Sequence, residues 1–243
     1  MNEKPHTVEI FTEVAPKYEF LNSLMTAGMD RKWRSTMLQM AESALGKKPY
    51  AVLDLATGTG DIARMMALRW PQATITGSDP TKAMLDVARA KAIAPKAYPS
   101  YRKITWIEGI AEKITAEKES LDILTIAFGF RNVEEKKRDK AVEEAFRVLR
   151  PGGVFVILEL GLPKEAPWRK IYKTLLTYGM PTIAGLFSPK EPYKYLAQSI
   201  VDFPMPENIK RLLSKHGFLA FAPRSLSGGM CWLYIAKKPI PQE

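Results

Sequence analysis

The order of local patterns along the chain predicts an α/β fold built on a seven-stranded, mostly parallel sheet. Through the first two thirds of the 243 residues, short apolar runs alternate with segments of helical periodicity, as in a parallel sheet covered by helices. A turn rich in glycine follows the first apolar run. The last two extended runs are joined by Ser227-Gly228-Gly229, which predicts an antiparallel hairpin at the edge of the sheet.

Each predicted element rests on its own local pattern. Apolar side chains at helical spacing predict a helical segment over residues 20–45. The predicted strands are residues 50–56, 73–79, 104–109, 121–128, 154–160, 218–226 and 230–237. The predicted helices are residues 61–69, 81–92, 137–149 and 207–216. Pro151-Gly152-Gly153 is predicted to separate the third of these helices from the fifth strand.

The elements group into four predicted parts. Residues 1–48 form an N-terminal helical lid, and residues 49–161 form the core that binds the cofactor. Residues 162–206, rich in proline and aromatic residues, form a helical cap that contacts the substrate. Residues 207–243 add a C-terminal helix and the hairpin, which complete the core sheet.

Composition excludes several kinds of site. The single cysteine, Cys231, rules out an internal disulfide, and with His6 and His216 as the only histidines a zinc site is not expected. The first twenty residues lack the apolar stretch of a signal peptide, and no apolar run is long enough to span a bilayer. We therefore expect a cytoplasmic protein. Its net charge of +10 is concentrated in residues 161–243, which hold 12 basic and 5 acidic residues.

The glycine turn is flanked by two acids that suggest its ligand. Asp54 lies inside the first strand, where a charge is costly unless it is paired. Asp79 ends the second strand, where a carboxylate can accept hydrogen bonds from ribose hydroxyls. Gly58, Gly60 and Ala63 also satisfy a loose dinucleotide pattern, but a pyrophosphate would be repelled by Asp54. A ligand with a ribose, an ammonium group and no phosphate fits S-adenosylmethionine. The alternative is a structural role for both acids, with Asp79 as a helix N-cap.

Several longer motifs give the chain a family resemblance. The glycine turn resembles the first motif of class I S-adenosylmethionine-dependent methyltransferases, which have a Rossmann-like fold. VEIFTEVAPKYEFLN, GMDRKWR, FGFRN, RVLRPGG, PYKYLAQSI and SGGM are similar, in order, to motifs of the ubiquinone/menaquinone biosynthesis C-methyltransferase family. The similarity runs from Val8 to Ala236. This chain departs from the family pattern at Thr57, usually cysteine, at Glu19, usually aspartate, and at Phe130, usually leucine. Ile110 replaces an acid found in many methyltransferases.

The resemblance implies a set of site residues. Arg131 and Asn132 are the expected catalytic residues. The expected cofactor contacts are Tyr18, Asp54, Gly58, Thr59, Gly60, Asp79, Ile110, Ala111 and Ala127. The expected substrate contacts are Phe128, Tyr193 and Tyr195. The cofactor is S-adenosylmethionine, with S-adenosylhomocysteine as product, and no metal is expected.

The resemblance also implies the reaction, which is methyl transfer to a ring carbon of a polyprenylated hydroquinone. Ring carbon becomes nucleophilic when a neighbouring phenol, whose pKa is about 10, loses its proton. We expect Arg131 to stabilise the oxyanion and Asn132 to orient it, while water held by both accepts the proton. In the alternative, Arg131 caps a helix or pairs with Glu134 or Glu135.

Apolar residues recur at helical spacing between Trp168 and Met180, mixed with Arg169, Lys170 and Lys173. This pattern indicates a cap helix that packs on the core, a passage for the isoprenoid tail, or both. The expected partners are a polyprenyl quinol and, transiently, the inner face of a membrane, with a homodimer as a further option and no nucleic acid. Rival functions are a methyltransferase for another small molecule or for RNA, a dehydrogenase and a lipid-binding scaffold. No dense basic run supports RNA, and Asp54 opposes the dehydrogenase.

Overall fold

The central sheet has the topology that the alternating pattern predicts. The computed structural model describes residue 26 and residues 28–179 and 191–241, and for residues 191–193 it describes the backbone alone. Within these residues the strand order is β3-β2-β1-β4-β5-β8-β6, and β7 also pairs with β8. The strands are β1 Ala51–Leu55, β2 Thr74–Asp79, β3 Thr105–Glu108, β4 Leu121–Ala127, β5 Leu149–Leu160, β6 Leu219–Ala220, β7 Arg224–Leu226 and β8 Cys231–Lys237.

The helices lie between the strands, as expected for crossover connections. The described helices are α1 Met29–Leu45, α2 Asp61–Arg69, α3 Lys82–Ile93, α4 Arg138–Val148, α5 Ala166–Thr174, α6 Glu191–Val201 and α7 Pro206–Lys215. A short π-helix, Leu175–Gly179, extends α5. The strands from β3 to β5 are parallel, and β8 runs antiparallel to β5. The predicted α/β fold is therefore confirmed.

Alternating side chains place a core on each face of the sheet. In β5, Val154, Val156 and Leu158 face one layer, whereas Phe155 and Ile157 face the other. The first layer contains buried residues of α1, α2, α5 and α6, and the second contains those of α4 and α7. Successive side chains of a strand point to opposite faces of the sheet, and both faces of this sheet are buried. The central strands therefore consist of continuous apolar runs.

Three elements differ from the sequence prediction by more than one residue. Within the described residues, the helix predicted over residues 20–45 begins at Met29, directly after Gly28, whose φ is 73°. The fifth strand begins at Leu149 rather than Val154, because Leu149 already pairs with Leu121 before the register shifts at the Pro-Gly-Gly segment. Gly152 has a φ of 80°, a left-handed conformation that absorbs the irregularity within the strand. Residues 218–226, predicted as one strand, form the two short strands β6 and β7, both paired with β8.

The strand order reverses direction between β1 and β4. From β1 the sheet continues to β2 and β3 on one side, and from β4 it continues to β5 and β8 on the other. In open α/β sheets, ligands bind beyond the carboxyl ends of the strands at such a point. The glycine turn follows β1 and the Phe128–Asn132 segment follows β4, so both motifs lie at the expected place.

Candidate active site

The turns after β1 and β4 touch each other. Ala56 and Phe128 both have left-handed backbones, with φ values of 49° and 57°. A Cβ atom on Gly129 would lie 2.5 Å from the Cβ atom of Ala56, so this close approach requires glycine at position 129. Left-handed non-glycine residues are strained, and such strain concentrates at functional sites. Two of them, side by side at the topological switch point, mark this edge of the sheet as the candidate active site.

Asp54 is a buried carboxyl group held by two hydroxyl groups. Thr57 donates a hydrogen bond to Oδ2 of Asp54 over 2.6 Å, and Thr125 of the neighbouring strand donates to Oδ1 over 2.6 Å. Burial raises the pKa of Asp54 to about 7, although both hydroxyl groups and the Arg34 charge act in the opposite direction. The site therefore holds a carboxyl group that a cationic ligand would readily ionise.

Asp79 is held by backbone amides at the end of β2. Its Oδ2 accepts a hydrogen bond from the Gly58 N–H over 2.8 Å, and its Oδ1 accepts one from the Thr81 N–H over 2.8 Å. Burial raises the pKa of Asp79, and these amides oppose the rise. Asp79 therefore joins the glycine turn to the start of α3, but the N-cap of that helix is Thr81, whereas the structural alternative expected Asp79. Each carboxylate oxygen keeps further lone pairs for ribose hydroxyls.

Trp106 of β3 explains why the turn uses glycine at position 60. Gly60 has a φ of 85°, and an added Cβ atom would lie 2.5 Å from the Trp106 indole. A Cβ atom on Gly77 of β2 would lie 2.7 Å from the same ring. The indole occupies the space beside both glycines, so α2 begins close to the sheet. Close packing of helix and strand is one of the roles of glycine in such turns.

Arg131 is buried and forms an ion pair that the sequence did not reveal. Its guanidinium Nη1 lies 2.5 Å from Oε1 of Glu159, and its backbone N–H donates to Oε2 of Glu159 over 3.0 Å. Nε donates to the Ser199 hydroxyl over 3.3 Å, and Nη1 also donates to the Phe128 carbonyl. Arg131 is therefore paired, though with Glu159 of β5 rather than with Glu134 or Glu135. These contacts fix the guanidinium at the carboxyl ends of β4 and β5.

Asn132 and Tyr195 meet at the same edge. The Tyr195 hydroxyl of α6 donates to Oδ1 of Asn132 over 3.3 Å. Ser199, one turn further along α6, is the partner of Arg131 Nε. Helix α6 therefore contacts both expected catalytic residues, and Tyr195 joins them although its part of the chain lies more than sixty residues away.

Helix α1 adds a second charged cluster that sequence reasoning missed. Nη1 of Arg34 lies 2.9 Å from Asp30 and 2.8 Å from Asp61, the residue that follows the glycine turn. The Arg34 guanidinium also lies 5.6 Å from the centre of the Phe128 ring. The centres of the Trp33 and Phe128 rings are 6.4 Å apart. Helix α1 is thus tied to both turns of the site.

The remaining predicted residues have different surroundings. Thr59 is buried in the turn, and Ala127 is half-buried at the end of β4. Ile110 is 46 % exposed beyond β3, and Ala111 packs against the second core layer. Tyr18 lies outside the described residues, and Tyr193 is described by its backbone alone. Among the described residues, no group of three His, Cys, Asp or Glu side chains could hold a metal ion.

The sequence contains a pattern that could have identified Glu159 as a candidate site residue. Glu159 is an acid inside the apolar strand Val154–Leu160, and the same reasoning had singled out Asp54 in β1. No local sequence pattern points to Arg34 or Ser199. Their contacts depend on which face of each helix packs against the sheet. Tertiary packing alone brings these side chains to the two turns.

The donor set fits a ligand with a positive charge and ribose hydroxyls. Neither Asp54 nor Asp79 has an ion-pair partner among the described residues, and both lie near the carboxyl ends of adjacent strands. Hydroxyl groups and the charge of Arg34 stabilise the ionised form of Asp54, and hydrogen bonds from Gly58 and Thr81 stabilise that of Asp79. A further cation beside these two acids is electrostatically favoured. The pair therefore suits the ammonium and ribose of S-adenosylmethionine and disfavours a phosphate.

Comparison with known proteins agrees with this chemistry. The family model described as the ubiE/COQ5 methyltransferase family matches residues 1–238. The chain is 37 % identical to a ubiquinone/menaquinone biosynthesis C-methyltransferase UbiE of Geobacter sulfurreducens, over 96 % of this chain and 88 % of that protein. It is 36 % identical to a demethylmenaquinone methyltransferase of Thermus thermophilus, over 95 % of this chain and all of that protein.

The fold is similar to that of solved methyltransferases. A Thermotoga maritima structure, described as an SAM-dependent methyltransferase and possible histamine N-methyltransferase, gives a TM-score of 0.61 at 19 % identity. The match covers 95 % of this chain and 99 % of that one. At this identity the likeness concerns the fold alone, whereas the family model and the relatives cover nearly the whole sequence. The chain belongs to the ubiE/COQ5 methyltransferase family.

Proposed function

We propose that this methyltransferase adds a methyl group to a ring carbon of a polyprenylated hydroquinone in quinone biosynthesis. Family membership and the functions for which the two relatives are named support the substrate class. The observation that carries the proposal is the meeting of two unlike groups at one sheet edge. Buried carboxyl groups that suit a cationic donor lie near the carboxyl ends of β1 and β2, and a buried guanidinium that suits an oxyanion follows β4.

Asp54 and Asp79 would hold the methyl donor, with Gly58, Thr59 and Gly60 forming the turn beside it. S-adenosylmethionine supplies an electrophilic methyl group on a sulfonium when it is bound. The further contacts expected from sequence, at Ile110, Ala111, Ala127 and Tyr18, stay predictions. Ile110 and Ala111 follow β3, and their backbone groups are the proposed contacts to the edge of an adenine ring.

Arg131 and Asn132 would act on the quinol. The guanidinium stabilises negative charge on the phenol oxygen, because a fixed cation in a site that excludes water acts far more strongly than one in water. It does not accept the proton itself, since the pKa of a guanidinium exceeds about 12. The Asn132 amide orients the oxygen, and Tyr195 fixes that amide through its 3.3 Å hydrogen bond. A water molecule beside both residues is the proposed proton acceptor.

The four-part organisation is also a proposal. Helix α1 belongs to the proposed lid and contacts the glycine turn through Arg34 and Asp61. Helices α5 and α6 belong to the proposed cap, and α6 contacts Arg131 and Asn132. In this arrangement the lid covers the methyl donor and the cap covers the quinol, and both exclude water. Phe128, Tyr193 and Tyr195 would line the quinol side.

The experiment is a methyl-transfer assay with product analysis. Purified protein and methyl-labelled S-adenosylmethionine are incubated with demethylmenaquinol or with the corresponding benzoquinol, each kept reduced. We expect label on a ring carbon of at least one quinol. The oxidised quinone is the control, because it has no phenol to ionise and should accept no label. Label on oxygen, or on neither quinol, would contradict the proposal. Cytoplasmic location and a homodimer stay predictions.

A further inference from the structure

Helix α5 and its π-helical extension expose a continuous apolar stripe. Trp168, Ile171, Leu175 and Tyr178 recur at intervals of three and four residues, so they lie along one side of the helix. Their side chains are between 41 and 71 % exposed. Single exposed apolar residues are ordinary in soluble proteins, but four large ones in a row on one helix form a patch that usually meets a partner.

The other side of this helix is fixed by the core. Tyr172 and Leu176 are buried and belong to the same core layer as Phe128, Leu160 and Cys231. The inner side of the Trp168 indole is packed, since it stacks with Tyr172 and lies beside Gly228. A Cβ atom added to Gly228 would lie 3.2 Å from its Nε1. The outward direction of the stripe is therefore set by the packing of Tyr172 and Leu176 in the core.

The surroundings of the stripe are positively charged. Residues 166–179 contain Arg169, Lys170 and Lys173 and no acidic residue. Lys170 and Lys173 are exposed beside the stripe. A helix with exposed apolar residues on one side and lysines beside them has the composition of helices that lie in the interface of an anionic membrane. Within the part of the chain that the structure describes, every helix falls short of what spanning a bilayer requires.

We propose that this stripe seats the enzyme on the surface of an anionic lipid bilayer. Trp168, Ile171, Leu175 and Tyr178 enter the interface, and Lys170 and Lys173 contact anionic head groups. The choice of a bilayer over a protein partner rests on the basic flank and on the proposed function, because a polyprenyl tail partitions into lipid. The inner face of α5, through Tyr172 and Leu176, belongs to the core layer that also contains Phe128.

The test measures binding to vesicles without any methyl donor or quinol. Full-length protein is floated with vesicles of equal phosphatidylglycerol and phosphatidylcholine, and with phosphatidylcholine alone. We expect binding to the anionic vesicles that weakens with salt. Ile171→Glu should lower the partition coefficient by about tenfold or more, because it places a charge in the interface. Ile93→Glu is the matched control, since Ile93 is also an exposed helical isoleucine, at 66 %, and it should bind like the unmodified protein.

A second variant tests the charge separately. Lys170→Glu/Lys173→Glu should abolish the preference for anionic vesicles. Equal binding by the Ile171→Glu and Ile93→Glu variants, or no flotation of the unmodified protein, would overturn the inference. A dimer that Ile171→Glu converts to a monomer would also overturn it, because the stripe would then be a protein interface. Methylation of a short-tail soluble quinol is measured in parallel, so a failure of the proposed function is seen independently of vesicle binding.

Discussion

Two buried charged side chains at the sheet edge are stabilised in different ways, and their behaviour should differ accordingly. Asp54 has hydroxyl donors and no ion-pair partner among the described residues, so burial dominates and raises its pKa to about 7. Arg131 has a carboxylate partner in Glu159 and keeps its charge. The first group is ready to receive a cation, and the second is a permanent cation in the site.

The pKa of Asp54 predicts pH-dependent ligand binding. A cationic ligand binds the ionised carboxylate, so its affinity should rise by about tenfold between pH 5.5 and pH 7 and then level off. Isothermal titration with S-adenosylhomocysteine would measure this. Thr57→Val removes a hydrogen bond that lowers this pKa, so the midpoint should move to higher pH. An unchanged midpoint in Thr57→Val would contradict the assignment, and Asp54→Asn should remove the pH dependence.

The raised pKa of Asp54 also predicts how the stability of the ligand-free protein depends on pH. Between about pH 4 and pH 7 the folded protein binds a proton at Asp54 that the unfolded chain has released. The free energy of unfolding should therefore fall as pH rises through this range, because stability rises with pH only where the unfolded state binds more protons. Denaturant unfolding of the ligand-free protein would show this as a slope that is lost in Asp54→Asn. A slope that survives the substitution would contradict it.

The Arg131–Glu159 pair predicts a coupled effect on stability. Arg131→Met leaves a buried carboxylate, and Glu159→Gln leaves a buried guanidinium, so each should lower the unfolding free energy by about 3 kcal/mol. The double variant has no buried charge, and its glutamine oxygen still accepts from the backbone, so it should lose less than the sum of the two. A double-mutant cycle in denaturant measures this coupling.

Catalysis in the same variants separates structure from function. The double variant should regain stability without regaining methyl transfer, because the guanidinium is gone. Near-normal kcat in that variant would show that Arg131 serves the fold alone. Glu159 would act as a positioning residue, so Glu159→Gln should lower kcat more than it raises KM.

At the scale of elements, helix α2 is placed by the contact of its first turn with β3. Gly60 begins the helix with a φ of 85°, and the Trp106 indole occupies the space where a side chain would stand. Gly46, at the end of α1, has a similar φ of 77° but nothing within 4 Å of an added Cβ atom. A side chain at position 46 would cause backbone strain only, whereas a side chain at position 60 would also overlap with Trp106.

This comparison predicts two different costs for the same substitution. Gly46→Ala should lower the unfolding free energy by about 1 kcal/mol, the cost of a left-handed alanine. Gly60→Ala should cost clearly more, because it adds a clash with Trp106, and it should also weaken S-adenosylhomocysteine binding. Trp106→Leu should recover part of the Gly60→Ala loss in denaturant unfolding. Equal costs for the two glycines would show that the indole moves aside freely.

At the scale of the whole molecule, strand β8 joins the two core layers. It pairs with β5 along seven residues, from Cys231 to Lys237. Cys231, Leu233 and Ile235 face the layer of α1 and α5, whereas Trp232 and Tyr234 face the layer of α4 and α7. The C-terminal segment is thus an interior part of the core, although it is the last element of the chain.

Two leucines that differ in burial test this role. Leu233 of β8 is 1 % exposed and Leu219 of β6 is 60 % exposed. Leu233→Ala should lower the unfolding free energy by about 2–5 kcal/mol, the range for a buried leucine. Leu219→Ala should change it by less than about 0.5 kcal/mol. Similar effects at both positions would mean that β8 is not part of the cooperative core.

The sequence by itself determined the fold class and the positions of the glycine turn and of residues 128–132 directly after two strands of the sheet. Apolar runs at strand length, helical periodicity and glycine at sharp turns are local signals, and each is readable without knowing what the segment packs against. Asp54 and Asp79 are predicted from the residues themselves, because acids in or at the end of a buried strand are costly without a purpose. Arg131 and Asn132 are predicted from the family resemblance.

The tertiary structure alone decided which side chains complete the site. Glu159, Ser199 and Arg34 lie far along the chain from the turns that they contact, and Tyr195 meets Asn132 across more than sixty residues. Such contacts depend on strand order and on the rotation of each helix, which no local pattern specifies. The same packing turned Tyr172 and Leu176 inward and left Trp168 and Ile171 outward, although all four have the same helical periodicity.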